Sequence, residues 1–228
     1  MYPTYELNLY CVANIKRRGL MFILSAPSGT GKTTLANKII ERDDHISLSI
    51  SYTTRKKRKE EVDGKHYHFV DRGNFEKQIH DDLFLEYAEI FGQLYGTPKQ
   101  QVLDTLEQGE DILFDIDWQG HRQLSAIARS DVTSVFLLPP SKEELLRRLQ
   151  LRNQDNPNVV QQRMERADEE ISHWHEYDYV IINKDIEHSI EKLTSILKAE
   201  RLRKERRIGL NDFVSTLIHE KFIKNKII

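Results

Sequence analysis

The chain has 228 residues, 31% of them charged and 39% hydrophobic, which is enough for one α/β domain with insertions and a sizeable core. Its formal net charge of −2 excludes a global basic field for nucleic acid, and no apolar run approaches the length of a membrane span. The single cysteine, Cys11, excludes an intramolecular disulfide and is typical of a cytoplasmic protein.

An N-terminal extension, residues 1–19, precedes the first predicted strand, the apolar run 20–24. A turn follows, and a helix is predicted over 32–42. The turn is close to the phosphate-loop pattern G-x-x-x-x-G-K-[ST], with alanine in the first position; its residues are Ala26, Pro27, Ser28, Gly29, Thr30, Gly31, Lys32, Thr33 and Thr34. In such a loop backbone N–H groups surround an anion, Lys32 approaches the terminal phosphates and the Thr33 hydroxyl holds Mg²⁺. This stretch predicts a nucleoside triphosphate site.

Residues 51–97 are predicted to form a small insertion rich in β-structure. Alternating residues predict strands over 46–51 and 64–70, a helix is expected over 74–80, and a strand over 84–90 leads into a turn over 92–98. Five consecutive positive charges at 55–59 are, taken alone, typical of a solvated surface. The density of arginine, tyrosine and carboxylate residues in this insertion suits a second ligand better than a core.

The α/β pattern then returns, with helices predicted over 99–108 and 120–128 and strands over 111–117 and 133–138. Asp115 and Asp117 end a strand on the same side, at the edge where open parallel sheets bind ligands. A helix begins at Ser141, with Glu144 completing a capping box, and ends at Arg152. A polar loop over 153–158, a helix over 159–173, a strand over 179–183 and a final helix from 186 past 202 follow.

Several separate motifs in the same order resemble the guanylate kinase family over about residues 19–203. They are Ser51-Tyr52-Thr53-Thr54-Arg55 with Arg58, Glu61, Gly64 and Tyr67, then Phe84-Leu85-Glu86-Tyr87-Ala88, Tyr95-Gly96-Thr97, and Leu113 to Gly120. Lys57 and Glu60 depart from the family, which usually has proline and glycine there. The resemblance implies an α/β fold with a P-loop NTPase-type parallel sheet core flanked by helices, a small GMP-binding insertion and a helical lid.

On this resemblance the core spans 20–50, 98–140 and 174–207, the GMP-binding insertion 51–97, the lid 141–173 and a C-terminal tail 208–228. The implied reaction transfers the γ-phosphate of Mg–ATP to GMP, and to dGMP as a second acceptor. The ATP-binding set is the loop 26–34 with Asn183, and Asp185 is a weaker candidate near adenine. The GMP-binding set is Ser51, Arg55, Arg58, Tyr67, Glu86, Tyr95, Thr97 and Asp117.

The chemistry of these residue types agrees with those roles. The two acceptor oxygens of Glu86 fit the N1–H and N2–H₂ donors of guanine, and guanidinium forks suit a monophosphate. The resemblance implies a catalytic set of Lys32, Arg55, Arg148, Arg152 and Arg163, with Mg²⁺ held by Thr33 and, through water, by Asp115 or Asp117. Ordinary helix-surface pairing is expected for Arg147 and Arg166.

Three other functions remain open from the sequence. Guanylate-kinase-like domains also serve as protein-interaction scaffolds, although these typically lack an intact phosphate loop. A sister P-loop kinase with another phosphorylated acceptor is a second alternative, and Glu86 with Ser51 and Thr97 argues for guanine against it. RNA binding through residues 55–59 or the tail is the third and weakest of these alternatives. The oligomeric state is not determined by the sequence.

Overall fold

The structure is a computed structural model that describes residues 15–90, 92–152 and 157–219, without the side chains of residues 152 and 157–159. The extension before residue 15, most of the polar loop 153–158 and the tail beyond 219 therefore lie outside the described residues. In chain order the strands are β1 (Lys16–Arg17), β2 (Met21–Ser25), β3 (Ile46–Leu48), β4 (Tyr52–Thr53), β5 (His68–Phe69), β6 (Phe84–Ile90), β7 (Gln93–Pro98), β8 (Asp111–Asp115), β9 (Val132–Leu138), β10 (Tyr179–Ile182) and β11 (Arg207–Ile208). The α-helices are α1 (Lys32–Arg42), α2 (Arg72–His80), α3 (Lys99–Glu107), α4 (Trp118–Ala128), α5 (Lys142–Arg152), α6 (Pro157–Ser172), α7 (Ile186–Arg201) and α8 (Leu210–His219).

The centre of the fold is a five-stranded sheet in the order β10-β9-β2-β8-β3, in which every neighbouring pair is parallel. Its middle strand β2 is buried along its whole length. Phe22 and Leu24 pack with residues of α1 and α7, whereas Met21 and Ile23 pack with residues of α3 and α4. Successive side chains of a strand point to opposite faces, so this continuous apolar run joins the two helical layers. The expected α/β fold with a parallel core sheet is confirmed.

A second sheet, in the order β5-β4-β7-β6, forms the insertion between β3 and α3. The expectation of a turn over 92–98 was wrong, because β7 pairs antiparallel with both β4 and β6. Gly96 lies inside this strand, where a Cβ would come within 2.9 Å of Phe75 and 3.0 Å of Phe84. The glycine is required by the packing of two aromatic rings that are stacked 4.6 Å apart, and not by a turn.

Three predicted strands are shorter than expected. The strand predicted over 46–51 ends at Leu48, and the one over 64–70 is reduced to β5, because Gly64, with a φ of 73°, turns the chain before it. The strand predicted over 111–117 ends at Asp115, because Asp117 is the N-cap of α4. Its carboxylate accepts hydrogen bonds from the backbone N–H groups of Gln119 and Gly120, at 3.0 and 3.2 Å.

Helices α5 and α6 form a helical pair beside the phosphate loop. They have a small core of their own around Leu145, Leu149, Val160 and Ala167, with Met164 packed against it. The Ser141 hydroxyl accepts a hydrogen bond from the Glu144 N–H at 3.1 Å, as a helix cap should. This pair is the segment in which the sequence places a lid.

The segment that precedes β2 pairs with the segment that follows α7. Strand β1 pairs antiparallel with β11, and Arg17 and Arg201 both form ion pairs with the buried carboxylate of Asp111. Residues 16–19 therefore pack on the core, although the sequence places them in an extension. The helix predicted to run past Leu202 ends at Arg201, and α8 follows separately. No helix in the described ranges is long and apolar enough to cross a membrane.

Candidate active site

The phosphate loop joins the carboxyl end of β2 to α1, and its backbone leaves the helix N-terminus open. Gly29 and Gly31 have φ values of 93° and 101°, a region in which side chains other than hydrogen are strained. Gly31 is the N-cap of α1 and provides no side-chain hydrogen bond to the first N–H groups of the helix. Those N–H groups and the positive end of the helix dipole are consequently available to an anion.

Two side chains outside the loop, those of Asn183 and Arg148, bond the backbone of the loop at Thr30. Asn183 is only 1% exposed; its side-chain N–H donates to the Thr30 carbonyl at 2.7 Å, and its Oδ1 accepts from Ser189 at 2.9 Å. Arg148 of α5 also donates to the Thr30 carbonyl, at 3.3 Å. A Cβ at Gly31 would lie 2.9 Å from the Asn183 amide. Asn183 therefore holds the loop from behind, and Asp185 caps α7 by accepting from the His188 N–H at 2.8 Å.

Lys32 lies at the junction of the loop and the end of β8. Its ammonium forms an ion pair with Asp115 and donates to the Ile116 carbonyl at 3.4 Å. Burial acts to lower the pKa of Lys32, but the charge of Asp115 and its hydrogen bond to the lysine outweigh burial, so the pKa is raised. Lys32 is thus a fixed positive charge beside the loop.

Oxygen ligands suitable for Mg²⁺ are present at the same place. Thr33 is exposed at the start of α1, and Asp115 is exposed at the end of β8. Hydroxyl and carboxylate oxygens with room for water are the environment that Mg²⁺ prefers. The residues fit the ion, which would be held by Thr33 and, through water, by Asp115 or Asp117.

A buried carboxylate marks the acceptor side of the site. Glu86 of β6 is 5% exposed, and its Oε1 accepts a hydrogen bond from the Thr97 hydroxyl at 2.6 Å. Its Oε2 faces the start of α4, where a Cβ on Gly120 would lie 3.1 Å from it. Burial raises the pKa of Glu86 to about 7, and the nearby negative charge of Asp117 raises it further, against the effect of Thr97. The acceptor side of the site thus combines a buried carboxylate, Glu86, held by the Thr97 hydroxyl, with the nearby negative charge of Asp117.

The arginine and tyrosine side chains predicted to bind a phosphate also converge. Arg55 is held by Glu61 through two hydrogen bonds of 3.0 and 2.7 Å, and the side-chain hydrogen bond to Glu61 raises the pKa of the guanidinium. Its centre lies 5.4 Å from the ring of Tyr67, and the Tyr67 and Tyr95 rings are 5.9 Å apart. Burial raises the pKa of the Tyr67 phenol, with Asp115 adding to the effect and Arg55 and Lys32 opposing it. The cluster thus faces the phosphate loop.

Two members of the predicted acceptor set lie at its margin. Arg58 is exposed, and its backbone N–H donates to Glu61 at 2.8 Å. Ser51 is half-buried just before β4, where its carbonyl accepts from the His68 N–H at 2.9 Å. The GMP-binding roles of Arg58 and Ser51 stay predictions.

The predicted lid arginines differ in their surroundings. Arg148 bonds Glu144 at 2.7 Å and reaches the Thr30 carbonyl, so it touches the loop while it is paired on its own helix. Arg163 is half-buried on α6. The side chain of Arg152 lies outside the described residues. Arg147, for which surface pairing was expected, is 61% exposed and bonded to Glu144.

Arg166 and Glu170 are two site residues that sequence reasoning missed. Arg166 forms the expected pair on its own helix, with Glu170 at 3.4 Å, but it is half-buried and also lies 3.9 Å from Asp117 of the core. Burial raises the pKa of Glu170, and the nearby positive charges of Lys32 and Arg166 oppose this rise. The spacing of Arg163, Arg166 and Glu170 on one face of α6 was the signal that could have found them.

A phosphate loop at the carboxyl edge of a parallel sheet, opposite a cluster of arginine and tyrosine side chains, defines an α/β P-loop kinase. The guanylate kinase family model matches residues 18–200. Guanylate kinase of Nitrobacter hamburgensis is 54% identical over 203 residues, covering 89% of this chain and 93% of that protein. Guanylate kinase of Agrobacterium fabrum is 47% identical over 207 residues, covering 91% and 94%.

A solved structure gives the same result. The crystal structure of guanylate kinase from Anaplasma phagocytophilum has a TM-score of 0.77 to this chain at 37% sequence identity, covering 91% of this chain and 99% of that one. The chain belongs to the guanylate kinase family.

Proposed function

We propose that the chain transfers the γ-phosphate of Mg–ATP to GMP, giving ADP and GDP, with dGMP as a second acceptor. The observation that carries this proposal is the buried carboxylate of Glu86, held by Thr97 in a sheet separate from the one that carries the open phosphate loop. Family membership supports the reaction class, because the relatives that match most of the chain are guanylate kinases. The scaffold and sister-kinase alternatives are not favoured by these relatives.

The donor half of the site is the loop 26–34. The N–H groups at the start of α1 and the ammonium of Lys32 would surround the β- and γ-phosphates. Asn183 acts as a positioning residue, since its amide already bonds Thr30 and Ser189. Mg²⁺, when bound at Thr33 and Asp115, would neutralise part of the phosphate charge.

The acceptor half has two regions of different chemistry. Arg55, Arg58, Tyr67 and Tyr95 would bind the monophosphate, because guanidinium and phenol groups donate hydrogen bonds to its oxygens. Glu86 and Asp117 would accept from guanine N1–H and N2–H₂, with Ser51 and Thr97 as hydroxyl partners. Adenine lacks this pair of donors, so an acceptor site built from carboxylates discriminates against AMP.

Phosphoryl transfer requires the protein mainly to position two nucleotides and to neutralise charge. An oxygen of the GMP phosphate attacks the γ-phosphorus in line, and Lys32 and Arg55 stabilise the charge that develops on the transferred group. Arg148, Arg152 and Arg163 would add positive charge as the lid formed by α5 and α6 closes. Closure would also exclude water and so favour transfer to GMP over hydrolysis.

An acceptor panel tests this function. ADP production from Mg–ATP is measured with GMP, dGMP, AMP, CMP and UMP in parallel, for the wild type and for Lys32→Ala, Glu86→Gln and Glu89→Gln. Turnover confined to GMP and dGMP, abolished by the first substitution and weakened by the second, is the expected result. Glu89→Gln is the matched control, since Glu89 is an exposed carboxylate on the same strand.

Two outcomes would overturn the proposal. Equal or greater turnover with another acceptor would assign the chain to a different substrate, and no turnover in a folded wild type would favour an interaction scaffold. Omission of Mg²⁺ should abolish turnover in the same assay. The cytoplasmic location expected from the sequence stays a prediction.

A further inference from the structure

Helix α6 presents a row of polar side chains to the core, continuing one residue beyond its end. Arg163, Arg166, Glu170 and His173 follow each other at intervals of three or four residues, which places them on one face. Two of them contact the segment that begins α4: Arg166 lies 3.9 Å from the Asp117 carboxylate, and His173 stacks on Trp118 with ring centroids 4.0 Å apart and planes inclined by 19°. The proposed lid therefore touches two consecutive residues of the core.

The His173 contact is firmly held. Glu176 bonds the His173 ring at 2.7 Å and accepts two hydrogen bonds of 2.7 Å from Arg122. The Arg122 guanidinium in turn lies 4.6 Å from the centre of the Trp118 ring. This closed set of ring and ion contacts anchors the end of α6, so a movement of the lid would pivot here and change the Arg166 to Asp117 distance.

Asp117 itself has little freedom. One carboxylate oxygen accepts from two backbone N–H groups at the start of α4, and the other faces Arg166. The other charged groups around it are Lys32, Glu86 and Glu170, which come from three different elements and contribute one positive and two negative charges. Arg166 lies between Asp117 and Glu170, its partner on α6 at 3.4 Å, and brings the charge of a lid guanidinium to 3.9 Å from the Asp117 carboxylate.

We propose that Arg166 is a positioning residue that couples the lid to guanine recognition through Asp117. The inference rests on the proposed function and goes beyond it. A guanidinium near Asp117 offsets the repulsion between Asp117 and Glu86, and so keeps both carboxylates available as acceptors for guanine. Because Arg166 moves with α6, GMP affinity and lid position depend on each other, as any two linked equilibria do.

Three variants test this coupling in full-length protein: Arg166→Gln removes the charge, Arg166→Lys keeps it, and Arg147→Gln removes an exposed lid arginine that bonds Glu144 on its own helix. We expect Arg166→Gln to raise KM for GMP by about fivefold or more while KM for ATP stays near the wild-type value. kcat at saturating GMP should change much less than KM for GMP, because a positioning residue acts through the binding of GMP and not on the reacting phosphates.

Arg166→Lys should return KM for GMP toward its wild-type value, and Arg147→Gln should change neither KM. A merely structural role would lower Tm without separating the two KM values. Equal KM for GMP in Arg166→Gln and Arg147→Gln would overturn the coupling while leaving the proposed function intact. A wild type without GMP turnover would overturn both.

Discussion

The substitution Glu86→Gln should raise the stability of the nucleotide-free protein and lower its kcat/KM for GMP. Glu86 is 5% exposed, and burial together with Asp117 raises its pKa from an ordinary value of 4.5 to about 7. Between these two pH values the folded protein keeps a proton that the unfolded chain has lost, so stability falls as pH rises through this window. Above pH 7 the full cost is about 3 kcal/mol.

Glutamine has nearly the same shape and no charge, and its carbonyl can still accept from the Thr97 hydroxyl. The variant should therefore gain up to about 3 kcal/mol over the wild type at pH 8 and gain nothing near pH 4.5. For a chain of this size that corresponds to a rise in Tm of roughly 6 to 12 °C. GMP binding should weaken, because the side-chain amide places an N–H donor where a carboxylate oxygen accepted from guanine. We therefore expect kcat/KM for GMP to fall by at least about a hundredfold.

Thermal unfolding at pH 5 and pH 8, without nucleotide, checks the stability half of this prediction, and initial rates with GMP check the other half. Glu89→Gln, an exposed change on the same strand, should show neither effect. A Tm gain of the same size at both pH values would contradict the argument from Glu86 ionisation. So would a variant less stable than the wild type at pH 8, or one that keeps its kcat/KM for GMP.

Four further predictions follow from contacts in the same site. In the wild type, KM for GMP should rise as pH falls below about 7, because a protonated Glu86 offers one acceptor fewer. Initial rates from pH 5.5 to 8.5 should show a steeper rise of KM than in Glu86→Gln, which lacks this carboxyl group. Lys32→Met should lower kcat by about a hundredfold or more, because it removes the cation beside the loop, whereas nucleotide-free Tm, checked by thermal unfolding, should change far less. Gly31→Ala places a Cβ on a residue with a φ of 101° and close to the Asn183 amide. It should lower the free energy of unfolding by about 1 to 3 kcal/mol, measured by denaturant unfolding, and raise KM for ATP, measured by initial rates. Asn183→Ala removes the amide that bonds the Thr30 carbonyl and the Ser189 hydroxyl. It should raise KM for ATP and leave KM for GMP unchanged, which measurement of both KM values checks.

The elements that the sequence predicted well are those whose pattern is local. The apolar run beside the phosphate loop became β2, and the predicted helix over 32–42 has the bounds of α1. The capping signal at Ser141 formed its hydrogen bond. In each case the side-chain period or a residue three positions away decides the structure, so no distant partner has to be known.

The errors occurred where a distant partner decides the conformation. Gly96 suggested a turn, but the rings of Phe75 and Phe84 explain its place inside β7. Residues 16–19 were predicted to belong to an extension, but Arg17 forms an ion pair with the buried Asp111 and so joins them to the core. No one of these contacts can be read from the adjacent sequence.

The arginines of the helical pair show why residue type and spacing alone do not assign a role. Arg147 and Arg148 are adjacent and share the carboxylate of Glu144, yet only Arg148 also reaches the phosphate loop. Arg166 also pairs on its own helix, with Glu170 at 3.4 Å, and in addition lies 3.9 Å from Asp117 of the core. An arginine that bonds only its own helix can stabilise that helix, whereas one that reaches the loop or Asp117 senses where the helix lies. The function of each lid arginine therefore follows from the element that its second partner belongs to.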